Sequence, residues 1–393
     1  MFNFNEEVDR RGTDSIKWNF QNGYGVKDGL LPFWIADTDF ATVPEIIQAF
    51  KERCEHPIMG YADPDDSITQ AVQGWFSRRH GWEMKLEDMF LSVGVVTGIW
   101  AALETFLKPG DSVVILTPVY DAFFKALKAA RVTEVDCPLL HSGNRYTIDY
   151  EGLEKAFKNG ARAFLFCNPH NPIGRVWTRE ELTQLAELCR KYDVLVISDE
   201  VHCDLGLYGH RYTGMATLEN QPDKLVIYTS VAKTFNMAGL VCSCVIVPNE
   251  EIRKPLRAFL DGRFLFGPAS LAFPAIKAAY TYGDAWVDEE VRYIEANASY
   301  VKEVFTKEMP DIGVTDHEGT FLMWLDYNSL GMTSDRLSSL LVEKYQLALS
   351  KGSAYGAEGE GFMRLNIGCP MPTLERGVSQ LTKMYHDWRR ENG

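Results

Sequence analysis

The run Tyr228-Thr-Ser-Val-Ala-Lys233-Thr-Phe-Asn-Met-Ala-Gly239 decides how the rest of this chain is read. It continues an apolar stretch, Leu225-Val-Ile-Tyr228, that has the pattern of a short buried strand. A lysine among small and hydroxyl residues just past such a strand is poorly placed as a solvated surface charge. Burial and nearby charge lower the pKa of an amine and make it a usable nucleophile. Upstream, Val194-Leu-Val-Ile-Ser198 reads as a second buried strand that ends in Asp199-Glu-Val-His202, 34 positions before Lys233.

Outward from these strands the chain alternates apolar runs with amphipathic helices, the rhythm of a parallel sheet covered on both faces. Strands are expected at 89–93, 112–117, 161–167, 194–198, 225–229 and 243–247, within a total of about seven. Helices are expected at 44–54, 66–79, 94–107, 120–130 and 179–192, with one long helical reach from Pro268 to about Lys307. A smaller α+β part follows, with strands near 320–325 and 361–366 and a closing helix at 374–390. At 393 residues the chain exceeds what one hydrophobic core serves. The expected organisation is an arm at 1–45 packing with the small domain, a large domain at 46–283 and a small domain at 284–393. The glycine-bearing segment 23–29 follows no strand and lacks dinucleotide-loop spacing, so it reads as part of the arm.

A net charge of −14 argues against nucleic-acid and anionic-membrane partners. No stretch is apolar enough for long enough to cross a bilayer. The opening Met-Phe-Asn-Phe-Asn-Glu-Glu lacks the basic and apolar regions of a secretory signal. The eight cysteines form no framework, and Cys242 with Cys244 supplies too few ligands for zinc. Reduced thiols, a cytoplasmic location and no metal are expected.

In an open α/β sheet, ligands gather beyond the carboxyl ends of the strands, and that is where the distinctive residues fall. Gly94-Val95-Val96 ends a strand and opens a helix, so its free amides suit a phosphate. Tyr120, after a strand and Pro118, offers a ring for stacking. Cys167-Asn-Pro-His-Asn171-Pro-Ile-Gly174 is a rigid polar turn whose Asn171 can donate to a phenolate. With Asp199, Ser230 and Lys233, this ordered set suits pyridoxal 5'-phosphate: the lysine bonds its aldehyde and the acid keeps its ring nitrogen protonated.

The chain resembles the fold-type I pyridoxal-phosphate enzymes of the class I/II aminotransferase superfamily, and within them the cystathionine β-lyase-like C–S lyases. The resemblance rests on Pro32-Phe-Trp-Ile-Ala-Asp37, Met59-Gly-Tyr61, Pro118-Val-Tyr120, Asn168-Pro-His-Asn-Pro-Ile-Gly-Arg175, Ser198-Asp-Glu-Val-His202, Ser230-Val-Ala-Lys-Thr-Phe-Asn236 and Gly361-Phe-Met-Arg-Leu-Asn366. It implies a large, mainly parallel sheet domain with a smaller α+β domain, and a homodimer with shared sites. Lys233 would be the cofactor lysine and the acid/base, and Asp199 the partner of the ring nitrogen. Asn171 and His202 would face the phenolate, and Tyr120 would stack on the ring. Val95, Val96 and Ser230 would hold the phosphate, helped by Tyr61 of a neighbouring subunit. Arg364 would clamp the substrate carboxylate, with backbone help from Ala36.

Two departures from ordinary aminotransferases favour the lyase branch. His202 stands where they carry tyrosine, and Val241 where they carry a phosphate-gripping arginine. A second aromatic often follows the stacking tyrosine in relatives; here it is Asp121. The implied reaction is β-elimination from L-cystathionine, L-cysteine or related S-substituted cysteines to pyruvate, ammonia and a thiol. The alternatives are transamination, or a non-catalytic regulatory protein that keeps the fold. Ser230-Val-Ala-Lys233 also fits an acyl-serine motif, but the Ser-Asp-Asn and Lys-Thr-Gly partners of that motif do not occur.

Overall fold

The computed structural model describes residues 2–19, 29–265 and 267–392. Residues 23–28 of the glycine-bearing segment lie outside the described residues. The larger sheet has seven strands, in the order Met89–Ser92, Ser243–Ile246, Leu225–Thr229, Leu195–Asp199, Ala163–Cys167, Ser112–Ile115 and Thr133–Asp136. From Leu225–Thr229 to Thr133–Asp136 all neighbours are parallel, whereas Ser243–Ile246 is antiparallel to both of its neighbours. The strands Ala163–Cys167, Leu195–Asp199 and Leu225–Thr229 are buried at every position. Both of their faces are covered, which is why they are written as unbroken apolar runs. Thr133–Asp136, not among the strands located from sequence, is a largely exposed edge strand and carries no such run.

The helix Val95–Phe106 lies directly on Tyr228. A Cβ at Gly98 would fall 2.3 Å from the tyrosine Cε1, and the phenol donates to the Gly98 carbonyl at 2.6 Å. The expected reach from Pro268 to Lys307 contains two helices, Ala272–Tyr282 and Asp284–Glu308, parted at Gly283. A side chain at 283 would place its Cβ 2.2 Å from Cε1 of Phe235, so the break admits a ring only two residues from Lys233. The helix Glu250–Asp261, not foreseen, carries Pro255 inside it, a residue that ordinarily argues against a helix.

A second sheet has five strands, ordered Leu31–Phe33, Leu347–Lys351, Phe362–Asn366, Leu322–Asp326 and Gly313–Val314. The N-terminal segment enters it through Leu31–Phe33, parallel to Leu347–Leu349. The closing helix is Met371–Asn392. Among the described residues no helix is long and apolar enough to cross a membrane.

Candidate active site

Adjacent strands of the large sheet end level with one another: Cys167 pairs with Asp199, and Asp199 with Tyr228. The turns after them therefore open on one edge, where such sheets bind ligands. Those turns carry Asn171, His202 and Lys233, and Asp199 is the last residue of its own strand. Lys233 lies on the short helix Val231–Thr234, capped by Ser230. The Ser230 hydroxyl accepts from the Ala232 amide at 3.1 Å and donates to the Cys242 carbonyl at 2.7 Å. The next residue but one from Ala232 is anchored too: Thr234 donates to buried Asp204 at 2.8 Å, and Asp204 also accepts from the Trp75 indole at 2.9 Å. Asp204, which the sequence reading passed over, thus fixes the turn that presents the lysine.

The Lys233 amine donates to the Ala36 carbonyl at 2.6 Å. Burial, and then the Arg364 cation, lower its pKa to about 8, against the opposing pull of Asp37 and Asp199. Burial raises Asp199 to about 6, held from rising further by the Val201 amide and by Lys233. It is therefore ionised at neutral pH, and among the described residues its carboxylate accepts one hydrogen bond, from Val201 at 3.2 Å. Burial, then Lys233 and Arg364, push His202 well below the ordinary imidazole range, so the ring is neutral. Its Nδ1 is buried without a hydrogen-bond partner among the described residues. Burial keeps the Tyr120 phenol protonated.

Arg364 faces Lys233 across a cavity of about 1300 Å³ that Tyr120 and Ala36 also line. Its Nη1 donates to Asn171 Oδ1 at 3.1 Å, and its Nη2 to the Trp34 carbonyl at 2.7 Å and the Ser350 hydroxyl at 3.2 Å. Its Nε is buried and unpartnered among the described residues. The contact with Asn171 has a second effect: with Oδ1 taken, the amide nitrogen is left as donor. The segment Trp34–Asp39 forms a carbonyl ledge. Asn366 donates to the Ile35 and Asp37 carbonyls, each at 2.6 Å, and Asn236 exchanges hydrogen bonds with Thr38 at 3.0 and 2.8 Å. A carboxylate needs a donor, so of the Ala36 backbone groups only the N–H can meet it, while the carbonyl accepts from Lys233. Ser350, Trp34, Asn236 and Asn366 were not singled out by role from sequence; only their distant hydrogen-bond partners reveal them.

Val95 and Val96 occupy the first turn of their helix, behind Gly94 at φ +59°, a left-handed conformation that glycine favours. A Cβ on Gly94 would meet Val241 Cγ1 at 3.2 Å, and Val241 lines the cavity. Val241 thus joins that turn to the cavity rim, and the turn's free amides suit a phosphate, but Val95, Val96 and Ser230 do not themselves line the cavity. Tyr61 stands apart, fully exposed on its own chain.

An ionised acid with spare lone pairs, a depressed lysine, an Asn held as donor and an orphaned imidazole nitrogen together fit the ring, aldehyde and phenolate of pyridoxal phosphate. Fold and site define a pyridoxal-phosphate-dependent enzyme of the large-sheet transferase type. The profile of the family "Aminotransferase class I and II" matches residues 30–381, and the chain belongs to that family. Over 96% of its length it is 40% identical to cystathionine beta-lyase PatB of Bacillus subtilis (strain 168), covering 98% of that protein. To protein MalY of Escherichia coli (strain K12) it is 34% identical, over 97% of this chain and 98% of the other. The crystal structure of cystalysin from Treponema denticola, which contains a pyridoxal 5'-phosphate cofactor, superposes with a TM-score of 0.95 at 32% identity, covering 98% of this chain and 99% of that one.

Proposed function

We propose that this protein is a pyridoxal-phosphate-dependent carbon–sulfur lyase that converts L-cystathionine, L-cysteine and related S-substituted cysteines to pyruvate, ammonia and a thiol. The observation that carries the reading is the pairing, across one cavity, of a lysine amine with pKa lowered to about 8 and a buried arginine with an unused Nε. Likeness over nearly the whole chain to a cystathionine beta-lyase supports elimination over transamination.

Bound pyridoxal phosphate supplies the electron sink that makes the substrate Cα–H acidic. Everything else falls to side chains. Arg364, which lines the cavity and is held by Asn171, Trp34 and Ser350, takes the α-carboxylate. Asp199, with a carboxylate that accepts only the Val201 amide among the described residues, would hold the cofactor's ring nitrogen protonated. Lys233, whose pKa is lowered to about 8 so that its neutral amine is within reach near neutral pH, removes the Cα proton. The Cβ–S electron pair leaves with sulfur, and the same lysine returns a proton to the departing thiolate. The released 2-aminoacrylate hydrolyses to pyruvate and ammonia.

The same reading takes residues 46–283 as the cofactor-binding domain, 284–393 as the small domain and 1–45 as the arm. It also takes the protein as a cytoplasmic homodimer in which Tyr61 of one subunit reaches the phosphate of the other. The full exposure of Tyr61 on its own chain supports a role across a subunit boundary, and seven buried, unpaired cysteines support a reducing compartment. The deciding experiment is pyruvate release from L-cystathionine with no keto acid present. Keto-acid-dependent conversion without thiol release would replace elimination with transamination.

A further inference from the structure

We propose that Lys17, on the N-terminal arm, is a positioning residue for both working side chains of the site. It holds the two ends of the ledge Trp34–Asp39 at once, and through that ledge the Lys233 amine and the Arg364 guanidinium. The proposal takes the roles of those two residues from the reading above and adds a third that does not line the cavity.

Lys17 sits in the single helical turn Ile16–Asn19 and is 1% exposed. Its ammonium donates to Asp39 Oδ2 at 2.6 Å and to the Asp37 carbonyl at 3.1 Å, with Asp37 Oδ1 at 3.5 Å. Three hydrogens thus face three oxygens at the far end of the ledge. The backbone carbonyl of Lys17 accepts from the Trp34 indole at 3.1 Å, which fixes the near end. Arg10 and Trp18 reach the far end, and Asn366 grips the middle from the small-domain sheet. On the ledge held this way, Ala36 accepts from Lys233 at 2.6 Å and Trp34 from Arg364 at 2.7 Å. A displaced ledge would shift both side chains together, and misplacement by about 1 Å can cost about 10²-fold in rate.

A buried ion pair adds little net stability over apolar packing of similar volume, so holding geometry is the better account of this one. Lys17 also acts by its charge. Arg364, Asp37 and Asp199 are the charges that face Lys233, with His202 neutral beside them. Asp37 pulls the Lys233 pKa up, and Lys17 with Arg10 offsets that carboxylate. Without Lys17 the pull strengthens.

The test uses Lys17→Met and Trp34→Phe in the full chain. In Lys17→Met both aspartates keep Arg10 as a partner, and Asp39 keeps Trp18 as well. With cofactor bound, kcat/KM for pyruvate release from L-cystathionine should fall about 10²-fold in Lys17→Met. Trp34→Phe, which loses one neutral hydrogen bond, should raise KM about threefold with kcat nearly unchanged. In the cofactor-free protein, acetylation of Lys233 is followed against pH by peptide mass spectrometry. Its midpoint should lie above the wild-type value of about 8 in Lys17→Met and at that value in Trp34→Phe. A merely structural lysine would lower thermal stability and leave the midpoint in place. An unmoved or lower midpoint in Lys17→Met overturns the proposal, as do unchanged kinetics. If Lys17→Met does not fold, an unchanged KM in Trp34→Phe overturns it instead. If the wild type releases no pyruvate, the lyase reading falls, while the acetylation midpoint still decides whether Lys17 acts on Lys233.

Discussion

The two walls of the cleft are held by different forces. On the large-sheet side, Asp199 and His202 sit at buried strand ends with few hydrogen bonds of their own, and burial is the leading cause of their pKa shifts. On the opposite side, the ledge Trp34–Asp39 is tied down by polar contacts at every turn. Arg10 spans Asp37 and Asp39, and Lys17, almost wholly buried, reaches Asp39 at 2.6 Å and the Asp37 carbonyl at 3.1 Å. One wall is poised by what it lacks, and the other is rigid through what it has. Groups on the first should therefore control the chemical step, and groups on the second the placing of substrate.

Lys233→Ala tests the first wall most severely. Turnover should fall by at least about 10⁴-fold, with loss of both the acid/base and the covalent cofactor bond. Pyruvate assays and borohydride trapping of the cofactor measure the two losses separately, and substantial activity would contradict the assignment. Asp199→Asn comes next, with kcat down about 10²–10³-fold. Its effect on stability should have the opposite sign. The folded-state pKa of about 6 lies above the ordinary 3.8, so the acid's contribution is fully present below 3.8 and is lost as pH rises through 6. At pH 7 its buried charge costs about 3 kcal/mol at most. The cofactor-free asparagine variant should be more stable than wild type by about 1–3 kcal/mol at pH 7, and the difference should vanish near pH 4. Urea unfolding at the two pH values checks this; a less stable variant at pH 7 would mean that the carboxylate is well solvated.

The same contrast explains how much could be read from the sequence. The large-sheet wall was legible because a parallel strand announces itself as an apolar run and its next residue is then at the ligand edge. Asp199, Lys233 and Asn171 are singled out that way, and the registers bring the ends of their strands level. The other wall depends on pairings between residues 14 to 331 positions apart, such as Ser350 with Arg364 and Asn366 with Ile35, and no local pattern encodes those. Leu31–Phe33 and Gly313–Val314, of three and two residues, are too short to show a period. Asp204 looks like any acid in a turn until Trp75 and Thr234 are seen to converge on it.

Arg364→Ala moves the test to the second wall. Removing the charged partner of a buried carboxylate contact should cost about 2–4 kcal/mol, read chiefly as a higher KM. The change also crosses the cleft. Arg364 is the main charge that lowers the Lys233 pKa, so in the variant that pKa should rise above about 8. The pH dependence of cofactor recombination with the cofactor-free protein reports this directly. A midpoint that moved down, or not at all, would show the two walls to be electrically independent.

Ser350→Ala is the smallest step and the finest test. The hydroxyl accepts from Arg364 Nη2 at 3.2 Å and donates to the Trp34 carbonyl, the same oxygen that Nη2 reaches at 2.7 Å. Without it, Nη2 keeps one acceptor and Nη1 keeps Asn171, so the guanidinium stays in place but its plane is less firmly set. One hydrogen bond to a charged group that retains another partner is worth about 1 kcal/mol, which predicts a rise in KM of about fivefold with kcat nearly unchanged. Ser350→Thr keeps the hydroxyl on a strand that tolerates β-branching and should restore KM. A fall in kcat as large as the rise in KM would mean that the second wall takes part in the chemical step, and the division of labour between the walls would fail at that point.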